Sequence, residues 1–243
     1  MTGIEKLQKL IDSSERIVFF GGAGVSTESG IKDFRSVDGL YAQTYQYPPE
    51  TILHRDFFWS KTADFYTFYR DKMICDGALP NAAHAKLAEL EKAGRLSCVI
   101  TQNIDGLHSV AGSKTVYELH GSIHRNCCVK CKRPYPLEYV KNSEDVPRCV
   151  CGGIVKPEVV LYGEGLDMNT VDHAISAIAD SDLLIVGGTS LTVYPAAGLL
   201  AYYRGKELVL INRDATSYDS EATLIIREPI GKTLAQIQVK PLI

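Results

Sequence analysis

The 243-residue sequence lacks any apolar run long enough to cross a bilayer. Its opening, MTGIEKLQKLIDSSERIVFF, lacks the long apolar region and small-residue cleavage site of a secretory leader. It also has little net charge: 26 Lys and Arg against 29 Asp and Glu leave −3, so bulk electrostatics gives no footprint for nucleic acid or an anionic membrane. Internal repeats and low-complexity linkers are missing. These absences exclude membrane-spanning and fibrous classes and leave a cytoplasmic globular chain as the expectation, long enough for one sizeable core with a satellite. Cysteine is not scarce. Seven in a chain without a leader point to reduced thiols, and the clustering of four points to metal rather than disulfides.

Ile17 to Phe20 is a short apolar run of the kind buried on both faces of a parallel sheet. Gly21, Gly22 and Gly24 follow, so the backbone can turn tightly, approach a ligand and face its amides toward a pyrophosphate. The dinucleotide fingerprint G-x-G-x-x-G requires a third glycine; Gly22-Ala23-Gly24-Val25-Ser26-Thr27 places Thr there, which counts against an ordinary dehydrogenase. Asp33-Phe34-Arg35-Ser36 then packs an acid, an aromatic and a guanidinium together. Read alone, it is better explained as a loop with Phe34 as a core plug and Arg35 in a surface ion pair.

Ile4, Leu7, Leu10 and Ile11 recur at helical spacing. Residues 41 to 75 are rich in Tyr and Phe and read as small helices packed around their own aromatics. Asn81 is a candidate N-cap for a helix carrying Ala83, Leu87 and Leu90 on one face and stopping at Gly94. Apolar runs before Gln102, His120, Val159 to Tyr162, Leu183 to Val186 and Leu208 to Ile211 alternate with helical patterns, which predicts a parallel sheet with helices on both faces. The fold class is therefore α/β: a Rossmann-like sheet over 1–30, 80–123 and 157–243, with a smaller domain made of a helical insertion (31–79) and a zinc-ribbon insertion (124–156). In the latter, Cys128-x-x-Cys131 and Cys149-x-Cys151 offer four soft ligands. Four thiolates suit one tetrahedral Zn²⁺ with no open position, hence a structural metal.

Gln102-Asn103-Ile104-Asp105 after one apolar run, His120-Gly121 after the next, the cysteine pairs, and Gly188-Thr189-Ser190 after a later run stand in one order along the chain. In these motifs, from about Ile17 to Asn212, the chain resembles the sirtuins, NAD-dependent protein lysine deacylases. The resemblance implies that His120 is the general base and that Asn103 and Asp105 complete the catalytic set. NAD would be held by Gly22, Ala23, Thr27, Phe34, Arg35, Gln102, Ile104, Asp105 and His120, with Thr189 and Ser190 beside the phosphates, Asn212 at the adenosine ribose and Ile230 at the adenine. Asp105 and Ile104 would pocket the carboxamide of nicotinamide, the leaving group, and Phe34 would shield the reacting carbon. Val159, Val160, Gly163 and Glu164 would pair with the backbone of an acetylated protein or peptide as an added strand. His108 is the rival to His120; His54, His124 and His173 stand apart from the motifs.

The sequence departs from the family pattern in four places. Lys32 replaces a usual Pro, Tyr162 a usual Phe, and Cys149-x-Cys151 a commoner C-x-x-C. Where succinyl- and malonyl-preferring members carry Tyr-x-x-Arg, this chain has Tyr66-Thr67-Phe68-Tyr69, with Arg70 one residue late. On a helix that step turns the guanidinium by about 100°, which predicts an uncharged acyl group, acetyl by default. The expected activity is transfer of the acetyl group of acetyl-lysine to ADP-ribose with release of nicotinamide. Mono-ADP-ribosyl transfer and nonenzymatic NAD sensing are the alternatives.

Overall fold

The computed structural model describes residues 1–34, 39–42, 45–75 and 77–241. The chain threads β1 (Ile17–Gly21), β2 (Leu96–Thr101), β3 (Val116–Glu118), β4 (Gly121–Cys128), β5 (Pro134–Tyr135), β6 (Val155–Val159), β7 (Leu183–Gly187), β8 (Glu207–Ile211) and β9 (Leu224–Ile226). Six of them form one parallel sheet in the order β3-β2-β1-β7-β8-β9. The chain winds outward from β1 in one direction and returns beside it with β7, which opens a crevice at their carboxyl ends where open α/β sheets bind ligands.

β1 is buried along its whole length, and its pleat divides the core. Ile17 and Phe19 join Leu7, Leu87, Leu90 and Ile185 under helices 3–13, 82–92 and 230–234. Val18 and Phe20 join Ile100, Ile178 and Leu184 under helix 168–180 and the turn of helix at 196–202. Asn81 caps helix 82–92 as its sequence predicts, accepting from Ala83 N at 2.9 Å, while His84 Nδ1 accepts from Asn81 N at 3.2 Å.

β4, β5 and β6 form a separate antiparallel sheet. The expected strand from Val159 to Tyr162 therefore differs from the observed one: β6 runs from Val155 to Val159, pairs with β4 and lies outside the parallel sheet. The cause is Gly121, whose φ of +75° turns the chain sharply after His120 and places it opposite Val159. A Cβ there would lie 1.9 Å from Glu158 O, so only glycine allows this approach. Both ends of the 124–156 stretch accordingly lie inside strands.

The helices at 49–52, 55–60 and 62–68, followed by a π turn at 69–73, share one core with the antiparallel sheet. Phe57, Phe58, Phe65, Tyr66 and Tyr69 pack with Ile123, Val140, Val155 and Val159. The Tyr66 hydroxyl donates to Val155 O at 2.5 Å. Among the described residues no helix is long and apolar enough to cross a membrane.

His108, on the short helix 107–111, is buried against His84, with ring centroids 4.7 Å apart. Burial, with His84 beside it, pushes its pKa down to about 3; burial also lowers that of His84, against the opposing pull of Asp105. An unfolded chain takes up protons on these rings near pH 6.5, whereas the folded chain resists until far lower. Their contribution is thus complete above pH 6.5 and lost as the pH falls toward 3. Between pH 7.5 and 5.0 the unfolding free energy should drop by about 2 kcal/mol through His108 alone. Urea titrations at the two pH values read this directly; His108→Leu should flatten the dependence, and an unchanged dependence in that variant would refute the assignment.

Candidate active site

The loops leaving β1 and β7 pack backbone to backbone. Gly22 N donates to Gly187 O at 3.2 Å and Gly24 N to Gly188 O at 2.8 Å. A Cβ on Gly22 would lie 2.8 Å from Thr189 Cβ, and one on Gly24 would lie 2.8 Å from Gly188 Cα. Gly188 itself has φ +59°. The glycines that sequence reasoning assigns to ligand approach are thus demanded first by the protein's own neighbouring loop. Ala23 opens the short helical turn 23–25 between them, and Thr27 donates its hydroxyl to Gly24 O at 3.0 Å.

After β2, Gln102 N donates to Gly21 O, and Gln102 Nε2 reaches Thr189 Oγ1 at 3.0 Å, so one side chain ties the loops after β2 and β7. Asn103 is buried; its N–H donates to Thr101 Oγ1 and its Nδ2 to Ser26 Oγ, each at 3.0 Å. Ser26 Oγ donates in turn to Asp105 Oδ2 at 2.7 Å, and Leu107 N donates to Asp105 Oδ1 at 2.9 Å. Ser26, 1 % exposed, joins Asn103 to Asp105 and is the residue that sequence reasoning misses. Its only sequence signal is its place in the glycine turn; the pairing of β1 with β2 makes it a partner of the segment starting at Gln102. Ile104 packs on the small-domain core and accepts from Ile123 N at 3.0 Å.

His120 follows β3, which sits beside β2. Its Nδ1 lies 2.9 Å from Gln102 O. A carbonyl only accepts, so Nδ1 carries the proton and Nε2 keeps its lone pair. Burial lowers the pKa, against the opposing effect of the Gln102 carbonyl, so the ring stays neutral below the usual histidine range. The rival His108 is buried between the rings of His84 and Phe19, with centroids 4.7 and 6.1 Å away.

Phe34 is half-buried, edge-on to Tyr41 at 5.6 Å. Arg35 lies outside the described residues. Beyond β7, Ser190 Oγ is 2.8 Å from Thr192 Oγ1. Beyond β8, Asn212 Nδ2 donates to Asp214 O at 2.9 Å. Ile230 opens helix 230–234 but is buried in the core beneath Gly187, where a Cβ would meet its Cδ1 at 2.3 Å; its side chain has no open face for an adenine.

The segment from Val159 to Glu164 is already extensively paired. Val159 lies opposite Gly121, and Val160 N donates to His120 O at 2.9 Å. Tyr162 bonds through its N–H to Leu53 O and through its carbonyl to Arg55 N, each at 2.9 Å. Gly163 O accepts from an Arg55 guanidinium nitrogen at 3.3 Å. Glu164 Oε2 accepts from Leu161 N at 2.9 Å and Lys156 Nζ at 3.1 Å, so that carboxylate fixes the turn itself. The Tyr162 hydroxyl lies 2.7 Å from that of Tyr41.

The four cysteines of the small domain converge, with Sγ atoms all within 4.8 Å of one another. Cys128 to Cys151 and Cys131 to Cys149 are 3.5 Å apart, near the edge of about 3.8 Å that a tetrahedron with ~2.3 Å Zn–S bonds requires. Lys130 N and Cys131 N both point at Cys128 Sγ, at 3.4 Å. The Cys151 N–H, aided by Tyr135, lowers the Cys149 thiol to about 6. The single-residue spacer is accommodated by Gly152, φ +80°, and by Gly153, where a Cβ would lie 2.6 Å from Cys128 Sγ. The donor set fits a zinc ion held entirely by thiolates.

Comparison with known proteins agrees with this arrangement. A model of the Sir2 family matches residues 22–195. A NAD-dependent protein deacetylase of Clostridium acetobutylicum is 57% identical over 238 residues, covering 96% of this chain and 97% of that protein. One from Cutibacterium acnes is 54% identical over 240 residues, covering 98% of each. Among solved structures, a complex described as Sir2-p53 peptide-NAD+ superposes with a TM-score of 0.86 at 38% identity, covering 96% of both chains. Shared motifs in one order, a shared fold and this identity over nearly the full length place the chain in the Sir2 family, the sirtuins.

Proposed function

We infer that the protein is an NAD-dependent protein-lysine deacetylase, which moves the acetyl group of acetyl-lysine to ADP-ribose and releases nicotinamide. One observation carries the assignment: a neutral His120, its Nδ1 held by Gln102 O, stands beside the Asn103–Ser26–Asp105 network at the carboxyl ends of adjacent parallel strands. Relatives named NAD-dependent protein deacetylase and a Sir2 neighbour holding NAD+ and a p53 peptide support the same reading. The crevice fits a dinucleotide because the loops after β1, β2, β3, β7 and β8 all end there.

When bound, NAD⁺ supplies an ADP-ribosyl group with nicotinamide as its leaving group. This chain supplies position and proton transfer. Asp105, fixed by Ser26 and Leu107, receives the carboxamide with Ile104, while Asn103 contacts the ribose side and Phe34 excludes water from the reacting carbon. His120 Nε2 takes the proton of a ribose hydroxyl. Gly22, Ala23, Thr27, Gln102, Thr189 and Ser190 would surround the phosphates, and Asn212 would meet the adenosine ribose. Ile230 serves the adenine end by seating the loop after β7. The peptide pairs with backbone groups at Gly163 and Glu164 left over by the internal bonds, next to Val159 and Val160. The zinc is structural, held by Cys128, Cys131, Cys149 and Cys151. Residues 1–30, 80–123 and 157–243 form the nucleotide-binding unit; 31–79 and 124–156 form the small domain around their common core. Cysteines clustered to hold a metal rather than to form disulfides support a cytoplasmic location.

The test is mass spectrometry of the purified protein with NAD⁺ and an acetyl-lysine peptide. Deacetylated peptide, nicotinamide and acetyl-ADP-ribose should form in equal amounts. ADP-ribosylated peptide in their place would favour the transferase, and no turnover by folded, zinc-loaded, NAD-binding protein would sink the enzymatic reading.

Arg70 bears on acyl choice. Its guanidinium donates to Val140 O at 3.0 Å, Ser143 Oγ at 2.6 Å and Asp145 O, and it lies over the Tyr66 ring. It clips the helical insertion to the zinc-binding one and is committed there, which supports an uncharged acyl group. Arg70→Ala should lower unfolding free energy by about 1.5–3 kcal/mol and leave the ratio of deacetylation to desuccinylation unchanged. A shift in that ratio would assign Arg70 to the acyl site.

A further inference from the structure

His124 lies midway along β4, between His120 and the first zinc ligand, and stands outside every sequence motif. Its Nε2 is 3.0 Å from Asp105 O. Because a carbonyl only accepts, Nε2–H donates. One residue earlier, Ile123 N donates to Ile104 O. The ring also covers Gly106, where a Cβ would lie 2.8 Å from His124 Cδ2. Gly106 has φ +73°.

These contacts divide the support of Asp105 between two parts of the molecule. The nucleotide-binding unit fixes its carboxylate, through Ser26 and Leu107 N. The antiparallel sheet fixes its main chain. The Ile123–Ile104 bond orients only the peptide before Asp105. The peptide after it leads into a glycine, which crosses between backbone regions at little steric cost and so permits that peptide plane to rotate. The turn from Asp105 Oδ1 to Leu107 N spans this peptide, and the His124 side chain supplies the hydrogen bond to its carbonyl. A cavity of about 440 Å³ opens beside the pair, lined by Asp105, Leu107, Ile123, His124 and Pro136 among others, so losing the ring enlarges an existing space rather than collapsing a packed core.

We propose that His124 is a positioning residue that locks the Asp105–Gly106 peptide plane from the zinc-bearing sheet and thereby aims the Asp105 carboxylate at the nicotinamide carboxamide. The proposal rests on the deacetylase reading for the identity of that ligand. It predicts a selective defect in NAD⁺ and nicotinamide recognition, with acetyl-peptide recognition spared.

The experiment compares wild type with His124→Phe, which keeps a ring but has no donor, and His124→Gln, whose Nε2 reaches about as far as that of histidine. His124→Phe should raise both KM for NAD⁺ and the inhibition constant for nicotinamide three- to tenfold, about the worth of one hydrogen bond. Its peptide KM, zinc content and melting temperature should match wild type. His124→Gln should stay within about twofold of wild type in every constant. Wild-type constants in His124→Phe, or an equal defect in His124→Gln, would overturn the proposal. If His124→Phe loses zinc, His124→Glu replaces it as the donorless partner of the Gln variant, and equal constants in those two would overturn it. A wild-type protein that does not deacetylate fails the underlying reading instead, a result visible before any variant is compared.

Discussion

His120→Ala should lower the rate of deacetylation by about 10² to 10⁴, the range typical of a positioned proton-transfer group. The geometry makes the loss specific. Nδ1 is committed to Gln102 O, so only Nε2 can accept a proton, and the Asn103–Ser26–Asp105 network lies on the neighbouring loop. None of those contacts uses the His120 ring except the Gln102 bond, so NAD⁺ binding should survive the substitution within a few-fold. The pH dependence supplies a second readout. Burial favours the neutral ring in the free enzyme, so the basic form persists to lower pH than for a free histidine, and the acidic limb of kcat/KM should fall below the ordinary value near 6.5. Activity governed by this group is complete above that limb and lost as pH falls through it. A His120→Ala enzyme within threefold of wild type, or a limb above 6.5, would remove His120 from the role of base.

Much of the parallel sheet is legible in the sequence because its signals are local. The runs at Ile17, Leu183 and Leu208 are buried strands whose alternation with helical patterns points to a parallel sheet, and Asn81 caps the helix it precedes. The convergence of the four cysteines also follows from spacing. What escapes is set by tertiary approach. Ser26 looks like one more small residue in a glycine turn until the pairing of β1 with β2 brings it between Asn103 and Asp105. Gly22 and Gly24 read as a ligand cradle, although Gly188 and Thr189 already occupy the space their side chains would fill. The run Val159 to Tyr162 reads as a strand of the main sheet since its apolar pattern carries no mark of which sheet it joins; Gly121, dozens of residues away, pairs the chain at Val159 with β4 instead. His108 and His120 are alike as letters. Only the fold buries one against His84 and leaves the other with an open nitrogen.

Zinc removal should have the other large effect. The buried core side chains of the 124–156 stretch are Cys128, Val140, Cys149 and Val155, two of them metal ligands, so its order depends on cross-linking. Zinc held by cysteines in small modules is worth roughly 10–16 kcal/mol of folding free energy. Cys149→Ser should therefore abolish stoichiometric zinc in elemental analysis and lower the melting temperature. It should also reach the active site: β4 starts at the residue after His120 and ends at the ligand Cys128, and Val160 N beside β6 holds His120 O. Loss of order in that sheet then displaces His120 and the Ile123 bond to Ile104 together, and kcat/KM should fall by at least about tenfold, the cost of losing hydrogen-bonded positioning. The parallel sheet has its own two cores and should retain most of its far-UV circular dichroism. Cys127→Ser is the control. Cys127 lies outside the four-cysteine cluster, with Glu158 beside it, and should keep both metal and activity. Chelation of the wild type should reproduce the Cys149→Ser defect, and Zn²⁺ should restore it. Cd²⁺ should restore it as well, because four thiolates around the ion leave no position at which the metal itself could act on substrate. Full activity in metal-free Cys149→Ser would uncouple the cysteine cluster from His120, and rescue by zinc but not by cadmium would argue for a chemical rather than a structural metal.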